Sequence, residues 1–345
     1  MKSLFRGLGP LVLIAAMLLT LSGCDEPNTP DVPLRPYRLA AQYMTRGTAI
    51  DVEIAGNYVA VAEELLGAIV LDASDVQALD TVFVYTVSPG GSCTQVALDL
   101  LHSYLCVFPA DGIYRSVFDF TYDNQWEAQV EGISLTLNGP LGEFAVTAVP
   151  DTILLWGSDI SSSDNKFTAV LWFQPSDTSA WIDGAFPQLF IPAHGRVRGF
   201  DFRADGIAAI AIEQQGVQLH RLQPFERLGS VDTPGLAYDC AWYGNYVIVA
   251  DQVQMVVVDA SDLMNPRIVG QLRISKADRL RGVAMDGHFA CLMDIYDGVY
   301  VVDVSNPTAP LFAQEIELFD PTSVAAGNGR LYVTDPGNGL LIYTR

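Results

Sequence analysis

The segment Asn245-Tyr-Val-Ile-Val-Ala-Asp251, followed by Met255-Val-Val-Val-Asp-Ala-Ser-Asp262, decides the fold of this 345-residue chain. It predicts two short buried strands, because an apolar run rich in β-branched residues and bounded by turn residues is typical of such strands. Three further copies of this pattern lie elsewhere in the chain, at 57–75, 289–307 and 331–343. Asp259 and Asp303 occupy equivalent positions 44 residues apart. A period of this length is typical of stacked repeats or propeller blades.

Each copy of the repeat predicts four strands. An alternating strand such as 280–285 comes first, and a turn such as Gly244-Asn245 follows it, since Gly and Asn accept the positive φ of a two-residue hairpin. The third strand ends in Asp-x-Ser, which can bond to the backbone of the next turn. The fourth strand is more polar, as at 267–272. Counting gives seven units, at roughly 47–85, 86–131, 132–193, 194–232, 233–276, 277–319 and 320–345.

The last unit contains only three of the four strands. The segment 37–44 has the pattern of a fourth strand, so we expect it to complete the last unit and thereby close a ring. Closure also covers strand edges that would otherwise aggregate. The predicted fold is therefore all-β: a single domain at 37–345 that forms a seven-bladed β-propeller of four-stranded antiparallel blades.

Part of the chain resembles a known repeat family. The resemblance is carried by Val-Val-Asp-Ala-Ser-Asp (257–262), Tyr-Val-Val-Asp-Val-Ser-Asn-Pro (300–307) and Gly-Leu-Leu-Ile-Tyr (339–343). These segments are similar to LVIVD repeats, which occur in propeller-like surface proteins of bacteria and archaea. The resemblance is good over 233–345, fair over 47–85 and weak over 86–232. It implies a β-propeller and an exported location, and it implies no catalytic residues.

The first 23 residues have the pattern of an export signal. Lys2 and Arg6 precede the apolar run 11–21, which is too short to span a bilayer and fits the core of a signal peptide. The run ends in Leu21-Ser-Gly-Cys24, which resembles the lipobox of bacterial lipoproteins. That resemblance implies cleavage after residue 23 and lipidation of Cys24. The alternative is an ordinary secretory peptide that happens to contain a cysteine.

A lipidated Cys24 would place the protein in the bacterial cell envelope, anchored to a membrane without a spanning helix. Whether this is the inner or the outer membrane stays open. The segment 24–36 is rich in proline and predicts an extended tether between the lipid and the propeller.

Composition excludes some classes of function and constrains the cysteines. With 19 basic and 40 acidic residues the net charge is −21, so binding to nucleic acid is excluded, and the hydrophobic content of 50% excludes a disordered acidic protein.

An oxidising compartment allows disulfides, but no Cys-x-x-Cys motif occurs among the cysteines. The four beyond Cys24 are Cys93, Cys106, Cys240 and Cys291. Cys106 and Cys291 lie in apolar strand patterns and are predicted to be buried thiols.

Acidic residues recur in the predicted turn between the second and third strands of every unit. The candidates are Glu63, Asp111, Asp159, Glu213, Asp251, Asp294, Asp297 and Asp335. These turns share one mouth in a propeller, so they predict a binding rim whose negative field attracts a basic partner or holds a cation such as calcium. The alternative is that Asp next to Gly only forms hairpin turns.

The third predicted unit is longer than the others and contains polar loops, which are common places for recognition. Trp181 follows one of these loops and is a candidate for an exposed contact. Arg196 and Arg198 open the fourth unit and are expected to pair with acids at the mouth.

The expected function is that of a non-catalytic binding scaffold. The sequence contains no nucleophile elbow, no zinc-protease motif, no phosphate-binding loop and no EF-hand loop. The expected partner is an envelope protein or a surface polymer, and the propeller is expected to be monomeric, with no cofactor. The alternative is a propeller hydrolase or lactonase that uses carboxylates or calcium at the central mouth. A scaffold in outer-membrane assembly is a third possibility.

Overall fold

This computed structural model describes residues 35–87, 91–99, 104–109, 115–119, 129–133, 141–149, 152–159, 166–173, 189–192, 195–222 and 226–345. The predicted signal peptide, Cys24, Asp111 and Trp181 lie outside the described residues. No helix in the described ranges is long and apolar enough to span a membrane.

The described strands form seven four-stranded antiparallel sheets. The strands are β1 (Arg38–Tyr43), β2 (Asp51–Ala55), β3 (Tyr58–Ala62), β4 (Ala68–Asp72), β5 (Asp80–Tyr85), β6 (Cys93–Asp99), β7 (Tyr104–Pro109), β8 (Arg115–Asp119), β9 (Gln129–Ile133), β10 (Leu141–Val149), β11 (Thr152–Asp159), β12 (Lys166–Phe173), β13 (Leu189–Pro192), β14 (Val197–Arg203), β15 (Ile207–Ile212), β16 (Gly216–Arg221), β17 (Glu226–Val231), β18 (Ala237–Tyr243), β19 (Tyr246–Asp251), β20 (Gln254–Asp259), β21 (Arg267–Arg273), β22 (Leu280–Asp286), β23 (Phe289–Asp294), β24 (Gly298–Asp303), β25 (Leu311–Glu317), β26 (Ser323–Gly327), β27 (Arg330–Asp335) and β28 (Gly339–Thr344). Six sheets take four consecutive strands, beginning with β2–β5 and ending with β22–β25, and the seventh has the order β26-β27-β28-β1.

The sheets close into a ring through their first strands. These strands are β2, β6, β10, β14, β18, β22 and β26, and each contacts the first strand of the following sheet. The ring closes because β26 also contacts β2. The prediction of an all-β propeller is confirmed, and the first strands surround its axis.

The N-terminal strand completes the seventh sheet, as predicted. β1 pairs antiparallel with β28, with Leu39 opposite Tyr343. The residue before β1 is fastened to the sixth sheet, because the Tyr37 backbone and the Gln314 side chain exchange two hydrogen bonds of 2.8 and 2.9 Å. Asp286 accepts hydrogen bonds from the Tyr37 hydroxyl and, at 2.7 Å, from Arg345 Nε, so both ends of the described chain bind the same carboxylate.

The core lies between neighbouring sheets and is built from their second and third strands. In the fifth and sixth sheets these strands are almost entirely apolar because both of their faces are covered, which explains the continuous runs in the sequence. Between the fifth and sixth sheets, for example, Ile248 and Val257 pack in one cluster with Leu292 and Tyr300. The prediction for Cys291 is confirmed: its thiol is buried, and burial raises its pKa to about 12.

Candidate functional site at the mouth of the ring

The turns between second and third strands and the connections between sheets lie at the same end of the ring. The strand pairs Leu280↔Asp294 and Ala237↔Asp251 show that the start of a first strand lies beside the end of the second strand. The connections between sheets arrive at the same end, which we call the mouth, and the other end is the opposite face. Those of the predicted acidic residues that the structure describes therefore do share one mouth, and Asp159 ends β11 opposite Leu141 in the equivalent position.

The prediction that these acids form an exposed rim is wrong for four of them. Glu63, Asp251 and Asp294 have 0% of their surface exposed and Asp335 has 2%. Glu63, Asp251 and Asp294 are buried because the segments that lead into the first strands fold over them. A buried carboxylate cannot meet a partner directly.

The buried carboxylates instead bind the backbone. Asp294 accepts hydrogen bonds from the backbone N–H groups of Asp278, Arg279 and Tyr296, at 2.9, 2.6 and 2.9 Å. Asp251 accepts from Gly235 N at 2.8 Å in the same way. Because buried N–H groups need acceptors, each carboxylate fixes the entry into the first strand of its sheet.

The other two buried acids also accept hydrogen bonds from the backbone. Glu63 accepts from the backbone N–H of Arg46 at 2.7 Å and pairs with the guanidinium of the same residue. Asp335 accepts from the backbone of Gly337 and Asn338 within its own turn, at 2.8 and 2.9 Å. The interpretation of these acids as turn-forming residues therefore fits the structure best.

Two of the predicted rim residues stay partly exposed. Glu213 pairs with Arg198 at 2.7 Å, which confirms the expected pairing of that arginine with an acid at the mouth. Asp297 is half-buried, and burial together with the charges of Asp294 and Asp278 raises its pKa.

Within the described part of the chain, no three His, Cys, Asp or Glu side chains are grouped so that they could hold a metal ion.

The sequence interpretation missed a second set of acids, which lies inside the ring on the first strands. Each accepts a hydrogen bond from the backbone of the next first strand. The pairs are Asp51 with Val96 N at 3.0 Å, Asp201 with Trp242 N at 2.7 Å and Asp239 with Val283 N at 2.8 Å. An acid in an apolar alternating strand is the signal that could have shown them. They link neighbouring sheets around the axis.

These inner carboxylates lie in an environment that disfavours their charge. Burial, together with the smaller effect of the charge of Asp201, raises the pKa of Asp239 to about 7. Glu53 lies two residues after Asp51 on β2, and its side chain is exposed in the central channel that the first strands surround. Enclosure by the ring, followed by the charges of Asp51 and Asp201, raises the pKa of Glu53 to about 8.

A cavity of about 370 Å³ lies at the mouth, and six of the seven sheets contribute to its wall. Its lining includes Asp51, Gln95, Arg198, Tyr238, Asp239, Arg281 and Ser323. The guanidinium carbon of Arg281 lies 4.1 Å from the centre of the Tyr238 ring, and that of Arg198 lies 5.7 Å from the same centre. The cavity therefore combines two cationic groups with inner-strand carboxylates.

Exposed apolar side chains lie along one side of the mouth, in three neighbouring sheets and their connections. Of the nine large hydrophobic residues that are exposed among the described residues, five lie in segments at this end: Met44, Leu65, Leu66, Tyr296 and Phe319. Phe319 is the most exposed of them, at 85%. Exposed apolar residues that cluster at one end of a protein are typical of an interaction surface.

Comparison with known proteins agrees with the repeat pattern and with the fold. The family model described as "LVIVD repeat" matches residues 46–87, 234–273 and 279–317, which correspond to the first, fifth and sixth sheets. These segments are LVIVD repeats. No curated protein matches the chain in sequence.

Two solved structures show the same fold as this chain. One is a chain of the mitotic checkpoint complex, with a TM-score of 0.66 at 12% identity, covering 94% of this chain and 97% of that one. The other is the β-propeller domain of Cps50 (Swd1) from Myceliophteria thermophila, with a TM-score of 0.68 at 10% identity, covering 90% of this chain and all of the domain. At such low identity the likeness supports the fold alone.

Proposed function

We propose that this protein is a non-catalytic binding scaffold of the bacterial cell envelope, anchored to a membrane by a lipid on Cys24, and that it binds a protein partner at the mouth of the ring. The observation that carries the proposal is the cavity at the mouth, to which six sheets contribute residues. Concave sites where several elements meet are the usual places for ligands.

The surroundings of the cavity support a protein partner. Apolar side chains such as Phe319 and Tyr296 are exposed at the mouth, and aromatic residues are enriched where proteins contact each other. One of the structures with a similar fold belongs to a protein complex, the mitotic checkpoint complex. The sequence of the first 24 residues supports the anchor, since a lipid on Cys24 would hold the propeller at a membrane surface.

Photocrosslinking in intact cells tests the proposal. A photoreactive phenylalanine analogue replaces Phe319 at the mouth, and in a matched control it replaces Met264, which is 59% exposed on the opposite face. We expect a specific protein adduct from position 319 and none from position 264. Equal adducts from both positions, or an adduct with surface polymer alone, would contradict a protein partner at the mouth.

A hydrolase that uses the channel carboxylates is the second candidate. The observation in its favour is the raised pKa of Glu53, since acid–base catalysis often uses a carboxyl group with a pKa near 7. Assays of the purified chain and of the Glu53→Gln variant with chromogenic lactones and glycosides separate the two functions. Turnover that the substitution abolishes would support the hydrolase, and no turnover by the purified chain would support the scaffold.

A further inference from the structure

Two arginines converge on one aromatic ring in the cavity at the mouth. Arg281 belongs to the sixth sheet, Arg198 to the fourth and Tyr238 to the fifth, and all three line the cavity. Both guanidinium groups lie within 6 Å of the Tyr238 ring centre, the range of a cation–π contact. These contacts place both guanidinium groups beside one ring at the wall of the cavity.

The hydrogen bonds of these arginines are incomplete. Arg198 donates from Nη2 to Glu213 at 2.7 Å, whereas Arg281 has no ion pair within the described residues. The Nε atoms of both arginines are buried and have no acceptor among those residues. Because nearly all buried N–H groups in proteins are hydrogen-bonded, two such donors in one cavity indicate a missing acceptor.

The charges at this position also favour an anion. Glu213 pairs with one of the two guanidinium groups, whereas that of Arg281 has no ion-pair partner among the described residues of a chain whose net charge is −21. Burial lowers the pKa of Arg281, and the neighbouring Arg198 and Arg279 lower it further, so its positive charge is disfavoured as the site stands. A bound anion would relieve this repulsion.

The carboxylates in the same wall limit the charge of that anion. Asp51 binds Val96 N and Ser323 Oγ with its two oxygens, and Asp239 binds Cys240 N and Val283 N. Their oxygens are therefore occupied, and they do not pair with the arginines. Their negative charge repels a dianion more strongly than a monoanion.

We propose that the cavity at the mouth binds a ligand with a single carboxylate, held by Arg281 and Arg198 against Tyr238. A planar carboxylate matches the fork of a guanidinium group, and the cavity volume of about 370 Å³ lies in the range of small-molecule sites. The inference rests on the proposed function, since it names the chemical group that the mouth recognises. The carboxylate can belong to a small molecule or to the end of a partner chain.

The test uses three probes at constant ionic strength: benzoate, the neutral amide benzamide and inorganic phosphate. The full chain is followed by the NMR signals of its arginine Nε–H groups and by its melting temperature. We expect benzoate to shift two Nε–H signals and to raise the melting temperature, benzamide to do neither, and phosphate to bind more weakly than benzoate. A short peptide with a free C-terminus, compared with its amidated form, separates a chain end from a small molecule as the source.

Variants make the assignment specific. Arg281→Gln should weaken benzoate binding by about tenfold or more, because a charge-assisted pair is lost. Arg203→Gln is the matched control, since Arg203 also stacks on an aromatic residue, with its guanidinium carbon 4.5 Å from the Trp242 ring centre, but lies on the opposite face and pairs with Asp205. If Arg281→Gln does not fold, Arg281→Lys serves instead, because it keeps the charge and loses the planar fork.

Equal responses to benzoate and benzamide, unchanged benzoate binding in the Arg281 variant, or tighter binding of phosphate would overturn the inference. Failure here is distinguishable from failure of the proposed function. A crosslink at position 319 without benzoate binding would remove only the carboxylate site. Benzoate binding without any crosslink would leave the site and remove the protein partner.

Discussion

Replacing Glu53 with Gln should stabilise the folded protein at pH 8. Glu53 faces the channel, where enclosure and the charges of Asp51 and Asp201 raise its pKa from 4.5 to about 8. The folded state therefore keeps a proton that the unfolded chain has already released above pH 4.5. The contribution of this group to the free energy of unfolding is greatest below pH 4.5 and falls as the pH rises towards 8. Glutamine has no proton to lose, so the variant escapes this fall.

The size of the effect follows from the pKa and from the access of water. In a dry site, the change from 4.5 to about 8 corresponds to roughly 5 kcal/mol. Because the Glu53 side chain is exposed in the channel, solvent screens its charge, so we expect only about 1–2 kcal/mol at pH 8 and about a few tenths of a kcal/mol at pH 5.

Urea denaturation at pH 5, 6.5 and 8 measures this difference. Glu317→Gln is the control, because Glu317 is an exposed glutamate on an outer strand, and its removal should change the free energy of unfolding little at any pH. A Glu53→Gln variant that is less stable than the parent at pH 8, or that gains equally at all three pH values, would refute the placement of Glu53 among like charges.

Three other predictions follow from the described contacts. Asp294→Ala should lower the free energy of unfolding by about 2–4 kcal/mol, because three backbone N–H groups lose their acceptor. The control Asp297→Ala should lower it by less than about 1 kcal/mol. Equal losses of the two variants in urea denaturation would contradict the structural role of Asp294. Deleting residues 35–43 exposes the edge of β28. The melting temperature should therefore fall, and size-exclusion chromatography should show association that increases with protein concentration. A monomer with an unchanged melting temperature would argue against closure of the ring by β1. The melting temperature should be the same with excess calcium and with chelator, and a rise with calcium would show a metal site.

The architecture was predictable because it follows from local patterns that repeat. Gly244 and Gly287 have positive φ in the turns after the first strands, as the sequence of those turns predicts. The incomplete last unit and the strand-like segment before Thr45 were enough to predict the pairing of β1 with β28. Each of these signals lies within a few residues of the element that it determines.

The acidic residues show where local patterns stop being informative. Their spacing placed Asp251 and Asp294 correctly at the mouth, but their burial depends on where the preceding segment passes. Gly235 N and Arg279 N reach these carboxylates from 16 and 15 residues away. The sequence alone does not reveal that such a segment covers the acid rather than leaving it in solvent.

The cavity was still harder to predict. Arg198, Tyr238 and Arg281 belong to three different repeats, and each is the second residue of its first strand, but the residue type at this position differs between the repeats. They meet because the first strands converge on the axis and because irregular pairing near the start of β14, β18 and β22 shifts their register. Only the closed ring brings them together.

Hydrogen–deuterium exchange on the full chain, alone and bound to the partner captured at position 319, tests most directly whether the mouth is the recognition surface. We predict slower exchange on binding in the mouth segments 63–67, 294–298 and 318–322. The opposite-face turns 72–79, 259–266 and 303–310 should exchange at unchanged rates. Protection of those turns, with the mouth segments unaffected, would contradict the account.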